Sequence, residues 1–118
     1  MCTKLTGVTI PESVKNIGGF CFYGCASLTG LTIPSGVTEI NSRMFVNCTS
    51  FTTLNLTKNI KTIHDGLFIG CTQPIRINYN GTRNEWLNIK REQTDIPSGS
   101  KLVCTDGEYT LDRTLTPS

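Results

Sequence analysis

The residues best suited to chemistry in this chain are six cysteines and a single histidine. Four of the cysteines, Cys2, Cys25, Cys48 and Cys71, stand 23 residues apart. Thiolates in number can hold zinc, but no C-x-x-C pair occurs and no histidine cluster accompanies them, so a metal centre is not indicated. His64 lies beside Asp65. A histidine acting as general base needs a nucleophile or positioned substrate within hydrogen-bond reach. No G-x-S-x-G, H-E-x-x-H or glycine-rich phosphate loop supplies such a setting. His64 therefore reads as an exposed loop residue, and the expectation is no catalytic residue, no metal and no cofactor. What remains is a set of polar residues suited to binding: Thr6, Thr9, Thr29, Thr32, Thr52, Thr53, Asn55, Arg76 and Asn78. Threonine also suits the solvent side of any strand, so their abundance alone does not make a site.

The cysteine spacing is the mark of an internal repeat. Residues 2–24, 25–47 and 48–70 align without insertion, and a fourth copy begins at Cys71. Self-similarity at such a period signifies stacked units that bury a continuous core between neighbours, of which about three are needed for stability. In such a stack the four cysteines form one column, with successive turns about 4.8 Å apart. They are expected to be reduced thiols packed as small hydrophobes.

The apolar residues fall into further columns: Leu5, Leu28 and Phe51; Val8, Leu31, Leu54 and Ile77; Ile10, Ile33, Leu56 and Tyr79. The last two are separated by two positions, which puts both on one face of a strand. Pro11 and Pro34 follow and should end each strand. Val14, Val37 and Ile60, then Ile17, Ile40 and Ile63, suggest a short second extended segment that anchors the opposite wall. Phe22, Phe45 and Phe68 form another column, on a helical or 3₁₀ turn closed by Gly24, Asn47 or Gly70, residues suited to a left-handed cap.

These offsets resemble the BspA-like leucine-rich repeats, whose units follow LxxLxIPxxVxxIGxxAFxGCxx; the likeness covers about residues 2–79. Cys21, Met44 and Leu67 depart from it by replacing the small residue before the phenylalanine. The resemblance implies a β-rich α/β solenoid, a right-handed leucine-rich repeat superhelix of about three and a half coils. It also implies a cell-surface or secreted protein that adheres to host or neighbouring-cell proteins.

From Gln73 the register fails, and Pro74 stands where leucine is expected. The repeats are therefore placed at residues 1–79, the last of them, 71–79, partial. A C-terminal cap is placed at 80–111. Within it TRNEWLNIKRE reads as a helix, with Thr82 and Glu85 at capping-box spacing and Trp86 and Ile89 sharing the face that covers the core. KLVCTDGEYTL reads as a hairpin turning at Asp106-Gly107. Residues 112–118 read as a flexible tail.

Net charge is +2 with 17% charged residues, and no basic stripe occurs, so nucleic acid is not an expected partner. No apolar run reaches 18 residues, so no membrane insertion is expected. The first ten residues lack the charged and apolar regions of a signal peptide, and the chain reads as a mature piece or the C-terminal end of a longer protein. Two partner classes remain: another protein on the threonine- and asparagine-rich face, or a second copy at the first coil. There Leu5, Val8, Ile10, Val14 and Ile17 would present an unstacked apolar edge and the oligomer would form.

Overall fold

The computed structural model describes residues 7–8 and 10–118, and of residues 7 and 8 the backbone alone. The chain winds as a solenoid with two sheets on different walls, parallel throughout except for the last strand of the larger one. The larger sheet holds β1 (Gly7–Val8), β2 (Gly30–Thr32), β4 (Thr53–Thr57), β6 (Arg76–Asn80), β8 (Lys101–Cys104) and β9 (Gly107–Thr110), neighbours in that order. The smaller holds β3 (Glu39–Ile40), β5 (Thr62–Ile63) and β7 (Lys90–Arg91).

Register follows the repeat. Leu31 pairs with Leu54 and Leu54 with Ile77; Leu56 pairs with Tyr79. Strand β4 alternates half-buried and buried along its length, so Leu54 and Leu56 enter the core while Thr53, Asn55 and Thr57 face out. Because each coil repeats the same inward side chains, like stacks on like. The Phe22, Phe45 and Phe68 rings lie 5.9 and 5.8 Å apart in sequence, nearly parallel, and Phe51 stacks on Phe45 at 4.4 Å. Leu28, Ile40, Phe45, Phe51, Leu54, Ile63 and Phe68 are fully buried.

The phenylalanine segments are hydrogen-bonded turns rather than helices. Their amides bond the next coil (Phe22 N–H to the Met44 carbonyl, Phe45 N–H to the Leu67 carbonyl), which competes with any helical pattern. Each turn ends in the left-handed region, at Gly24 (φ 71°), Asn47 (φ 60°) and Gly70 (φ 80°).

Of the cysteine column, Cys25, Cys48 and Cys71 lie where the repeat puts them, and Cys2 lies outside the described residues. Cys25 and Cys48 are buried, and no disulfide joins the cysteines among the described residues. The thiols do more than fill space. Cys48 Sγ donates to the Phe22 carbonyl at 3.1 Å, and Cys71 Sγ to the Phe45 carbonyl at 3.2 Å. Each reaches 26 residues back, to the phenylalanine turn stacked against its own. Desolvation pushes the Cys48 thiol up to about 11 and the Cys71 thiol up to about 12, so both remain protonated donors.

The fourth coil does not lapse at Tyr79. It supplies both β6 and β7, but with a different middle. Nine residues separate Thr53 from Thr62, whereas fourteen separate Arg76 from Lys90, so this coil carries five extra between its walls. They accommodate α1 (Arg83–Leu87), shorter than the expected helix. Its capping box is present: Thr82 accepts from the Glu85 amide and Glu85 accepts from the Thr82 amide. Two effects stop it early. Arg91 donates to the Trp86 and Ile89 carbonyls, satisfying the helix end. The open edge of β5 then recruits the following residues as β7, through Lys90 N–H to the Lys61 carbonyl and Glu92 N–H to the Ile63 carbonyl.

The hairpin closes one residue earlier than expected. Cys104 pairs with Gly107 across Thr105-Asp106. Residues 112–118, expected as a flexible tail, are instead packed. Leu115 is fully buried, and its carbonyl accepts the Trp86 indole N–H at 2.8 Å. Thr110 and Ser118 exchange both backbone hydrogen bonds, and Leu111 bridges Pro117. Asp112 holds the bend by accepting from the Thr114 hydroxyl and from the Thr114 and Thr116 amides; the hydroxyl bond is the leading cause of its lowered pKa, followed by the Thr116 amide. A buried indole needs an acceptor for its N–H, and the tail provides it.

Candidate functional site

On the outward face of the larger sheet, successive coils bring one polar residue each to the same height. The Asn55 amide donates to the Thr32 hydroxyl at 2.9 Å, and the Asn78 amide donates to the Asn55 carbonyl oxygen at 2.8 Å. The result is a directional ladder across β2, β4 and β6. The 23-residue spacing creates it, since parallel strands in register place Thr32, Asn55 and Asn78 side by side.

The ladder forms one side of a shallow groove of about 410 Å³ that runs across four strands. Thr57, Asn80 and Thr105 line the other side, and Val103 of β8 stands where the ladder would continue. Among the described residues, no charged one lines the groove. Charge sits at its margin, where Arg76 and Glu108 approach at 3.4 Å with both side chains about half exposed. The face is thus a neutral array of amides and hydroxyls, held in place by bonds to one another, beside an apolar patch at Val103.

Of the polar residues singled out from the sequence, the structure brings Thr32, Asn55 and Asn78 together in this groove. Thr53 and Arg76 pair on the same face, outside the groove. Thr29 and Thr52 precede β2 and β4, out of phase with the outward positions. The Thr52 hydroxyl donates back to the Thr29 carbonyl, so they serve the coil-to-coil contact rather than the groove. Thr6 and Thr9 lie outside the described residues. Thr57, Asn80, Val103 and Thr105 were not anticipated. The first two occupy the place of Pro11 and Pro34, and so read as strand ends. Val103 belongs to, and Thr105 directly follows, a fifth strand that the repeat spacing does not reach, since Arg76 pairs with Lys101, 25 residues on.

At the first coil, Ile10 and Val14 are half-buried against the core, and Ile17 is buried under the second coil. Ile17 is therefore not part of an exposed edge. Leu5 and the Val8 side chain lie outside the described residues; the Val8 backbone pairs with Leu31. Two aromatics absent from the expected set are exposed there instead, Phe20 at 51% and Tyr23 at 41%, with ring centroids 6.1 Å apart.

His64 is not a bare loop residue. Its Nε2 lies 2.7 Å from Glu39 Oε2 and its Nδ1 lies 3.1 Å from Glu92 Oε1. Asp65, its neighbour in sequence, turns away to accept from the Ser42 hydroxyl at 2.7 Å; that bond, with Arg43 at 3.9 Å, holds its carboxyl below the usual range. The side-chain partners of His64 among the described residues are the two glutamates. Among the described residues, no grouping of histidine, cysteine, aspartate and glutamate is arranged to hold a metal ion, and no helix is long and apolar enough to cross a membrane.

No curated protein and no solved structure gives a match to this chain. A family does: the one described as BspA type Leucine rich repeat region (6 copies) matches residues 1–92, which extends past the recognisable repeats to the end of the fourth coil's second strand. That span is most of the chain and agrees with the parallel coils seen in the structure, and the protein belongs to the BspA-type leucine-rich repeat family.

Proposed function

We propose that this chain is a non-catalytic, protein-binding module of a cell-surface or secreted protein, and that it adheres through the outward face of the larger sheet. The observation that carries the reading is the ordered ladder of Thr32, Asn55 and Asn78 beside a 410 Å³ groove with no charged lining. Three coils each contribute one residue, so the surface is repetitive and pre-organised, which lowers the ordering cost of binding. Repeat proteins use such extended faces for recognition. A partner that fits is an uncharged polar surface of another protein with one apolar contact for Val103.

The test is binding of the purified chain to a panel of extracellular-matrix and cell-surface proteins, followed by Asn55→Lys and Asn78→Lys. Both substitutions sit on half-exposed positions and should leave the circular dichroism spectrum intact. Binding lost in both variants supports the reading. Binding unchanged in both, or no binding to any component, overturns it.

A second reading is self-association through the first coil, supported by the exposed Phe20 and Tyr23 on that coil's turn. Light scattering over a wide concentration range decides it. Dimers abolished by Phe20→Ser would support this reading, and a monomer at every concentration would remove it.

A further inference from the structure

The second wall of the solenoid carries a contact that only one protonation state can make. Glu39 opens β3, His64 directly follows β5, and Glu92 directly follows β7. The three residues belong to three successive coils and meet because the strands are in register: the His64 amide bonds the Ile40 carbonyl, and the Glu92 amide bonds the Ile63 carbonyl. The imidazole lies between two carboxylates, at 2.7 Å and 3.1 Å. Ionised carboxylates only accept hydrogen bonds, and a neutral imidazole has one N–H to give. Both contacts can be hydrogen bonds only when both ring nitrogens carry protons. A neutral ring must turn a lone pair toward one of the glutamates.

We propose that His64 is a proton-operated clamp: as the imidazolium it ties the second, third and fourth coils together through Glu39 and Glu92, and on losing its proton it releases one of them.

The surrounding charges favour this assignment. On β3 the charged group is Glu39 itself. On the β5 stretch it is Lys61, exposed at the strand's start, and Asp65, which is engaged by Ser42 and Arg43. On β7 it is Lys90, exposed, and Arg91, whose guanidinium is committed to the Trp86 and Ile89 carbonyls and lies 6.0 Å from the Trp86 ring centre. Thus the two glutamates are the groups in contact with the ring. The Glu39 hydrogen bond is the main influence raising the histidine above its ordinary 6.5; partial burial opposes it and Glu92 adds to it. A folded-state value above the unfolded one means stabilisation that is complete below about pH 6.5 and is lost as pH rises through the folded-state value. The clamp therefore closes on the acid side. Its site is distinct from the groove, so the outcome does not depend on what the groove binds.

The chain has one histidine, so proton NMR of its ring follows the clamp without ambiguity. The expected result is a titration midpoint above 6.5 that falls in Glu39→Gln, falls less in Glu92→Gln, and returns close to 6.5 in the double variant. A second measurement compares thermal midpoints of the wild type and His64→Gln from pH 5.5 to 8. The difference should favour the wild type in acid and shrink as pH rises. Half-exposed positions make these variants foldable, and the wild-type titration stands even without them. A wild-type midpoint at or below 6.5, or one that neither glutamine substitution moves, overturns the proposal.

Discussion

Removal of residues 114–118 should destabilise the whole cap. The deletion takes away Leu115, which is fully buried, the carbonyl that accepts the Trp86 indole N–H, and the paired hydrogen bonds between Thr110 and Ser118. Leu115→Ala alone isolates the packing part. Truncating a buried leucine costs about 2–5 kcal/mol, a large share of the roughly 5–15 kcal/mol that holds a domain together. For a chain of this size, about 3 kcal/mol corresponds to a fall in melting temperature of roughly 10 °C. The deletion should exceed that, because a buried indole N–H left without its acceptor costs about 1–3 kcal/mol more. Trp86 is the only tryptophan, so its fluorescence reports the cap directly. Emission in the deleted protein should move to the red as water reaches the ring. Thr116→Ala, at a half-buried position whose hydroxyl meets only Thr114, is the control and should shift melting by little. If the deletion melts like the intact chain with unchanged emission, the tail does not cover the core as described.

Three further outcomes test the coil geometry. Leu31→Asp should prevent stable folding by placing an unpaired carboxylate in the core, at a cost of several kcal/mol, while Thr32→Asp, one residue away and exposed, should fold normally by circular dichroism; equal effects would mean the strand faces are reversed. Cys48 and Cys71, with thiols raised to about 11 and about 12, should resist a thiol reagent at pH 8 until denaturant is added, and rapid labelling of either in the folded protein would contradict the column. Gly70→Ala should lower stability by about 2 kcal/mol, since φ is +80° and the new Cβ would overlap Asn47 Oδ1, whereas Gly18→Ala opens into empty space and should be neutral in a melting curve.

The sequence made the coils legible because the residues that repeat are the ones that face inward. Leu31, Leu54 and Ile77 must be apolar for the same reason in each turn, so the period survives substitution elsewhere. What escaped it were contacts set by other coils. Helix α1 ends where β5 needs a partner, which local propensity around Lys90 does not express. Glu39 and Glu92 lie 25 and 28 residues from His64, and the second distance includes the extra residues of the fourth coil, so no fixed period links them. The tail gave one usable hint: a tryptophan destined for burial needs an acceptor, and Leu111 and Leu115 were the apolar residues left to bring one. In the groove, Thr32, Asn55 and Asn78 were visible as a column, but which neighbours completed the far side depended on β8, whose offset from β6 is 25 rather than 23.

The pairing of Thr110 with Ser118 gives the molecule a direction. The backbone of β9 has its outer edge occupied at one end by the chain's own last residue, and β9 runs against the other strands, so a further parallel coil finds no template there. The other margin of the sheet, β1, runs parallel to its neighbour, and no strand flanks it among the described residues. Among the described residues the larger sheet thus ends in an antiparallel strand at β9 and in a parallel one at β1. A designer lengthening the array would insert 23-residue units upstream of β2, never after β8. The groove could be widened in the same direction, one polar rung per added coil, without disturbing the end that seals it.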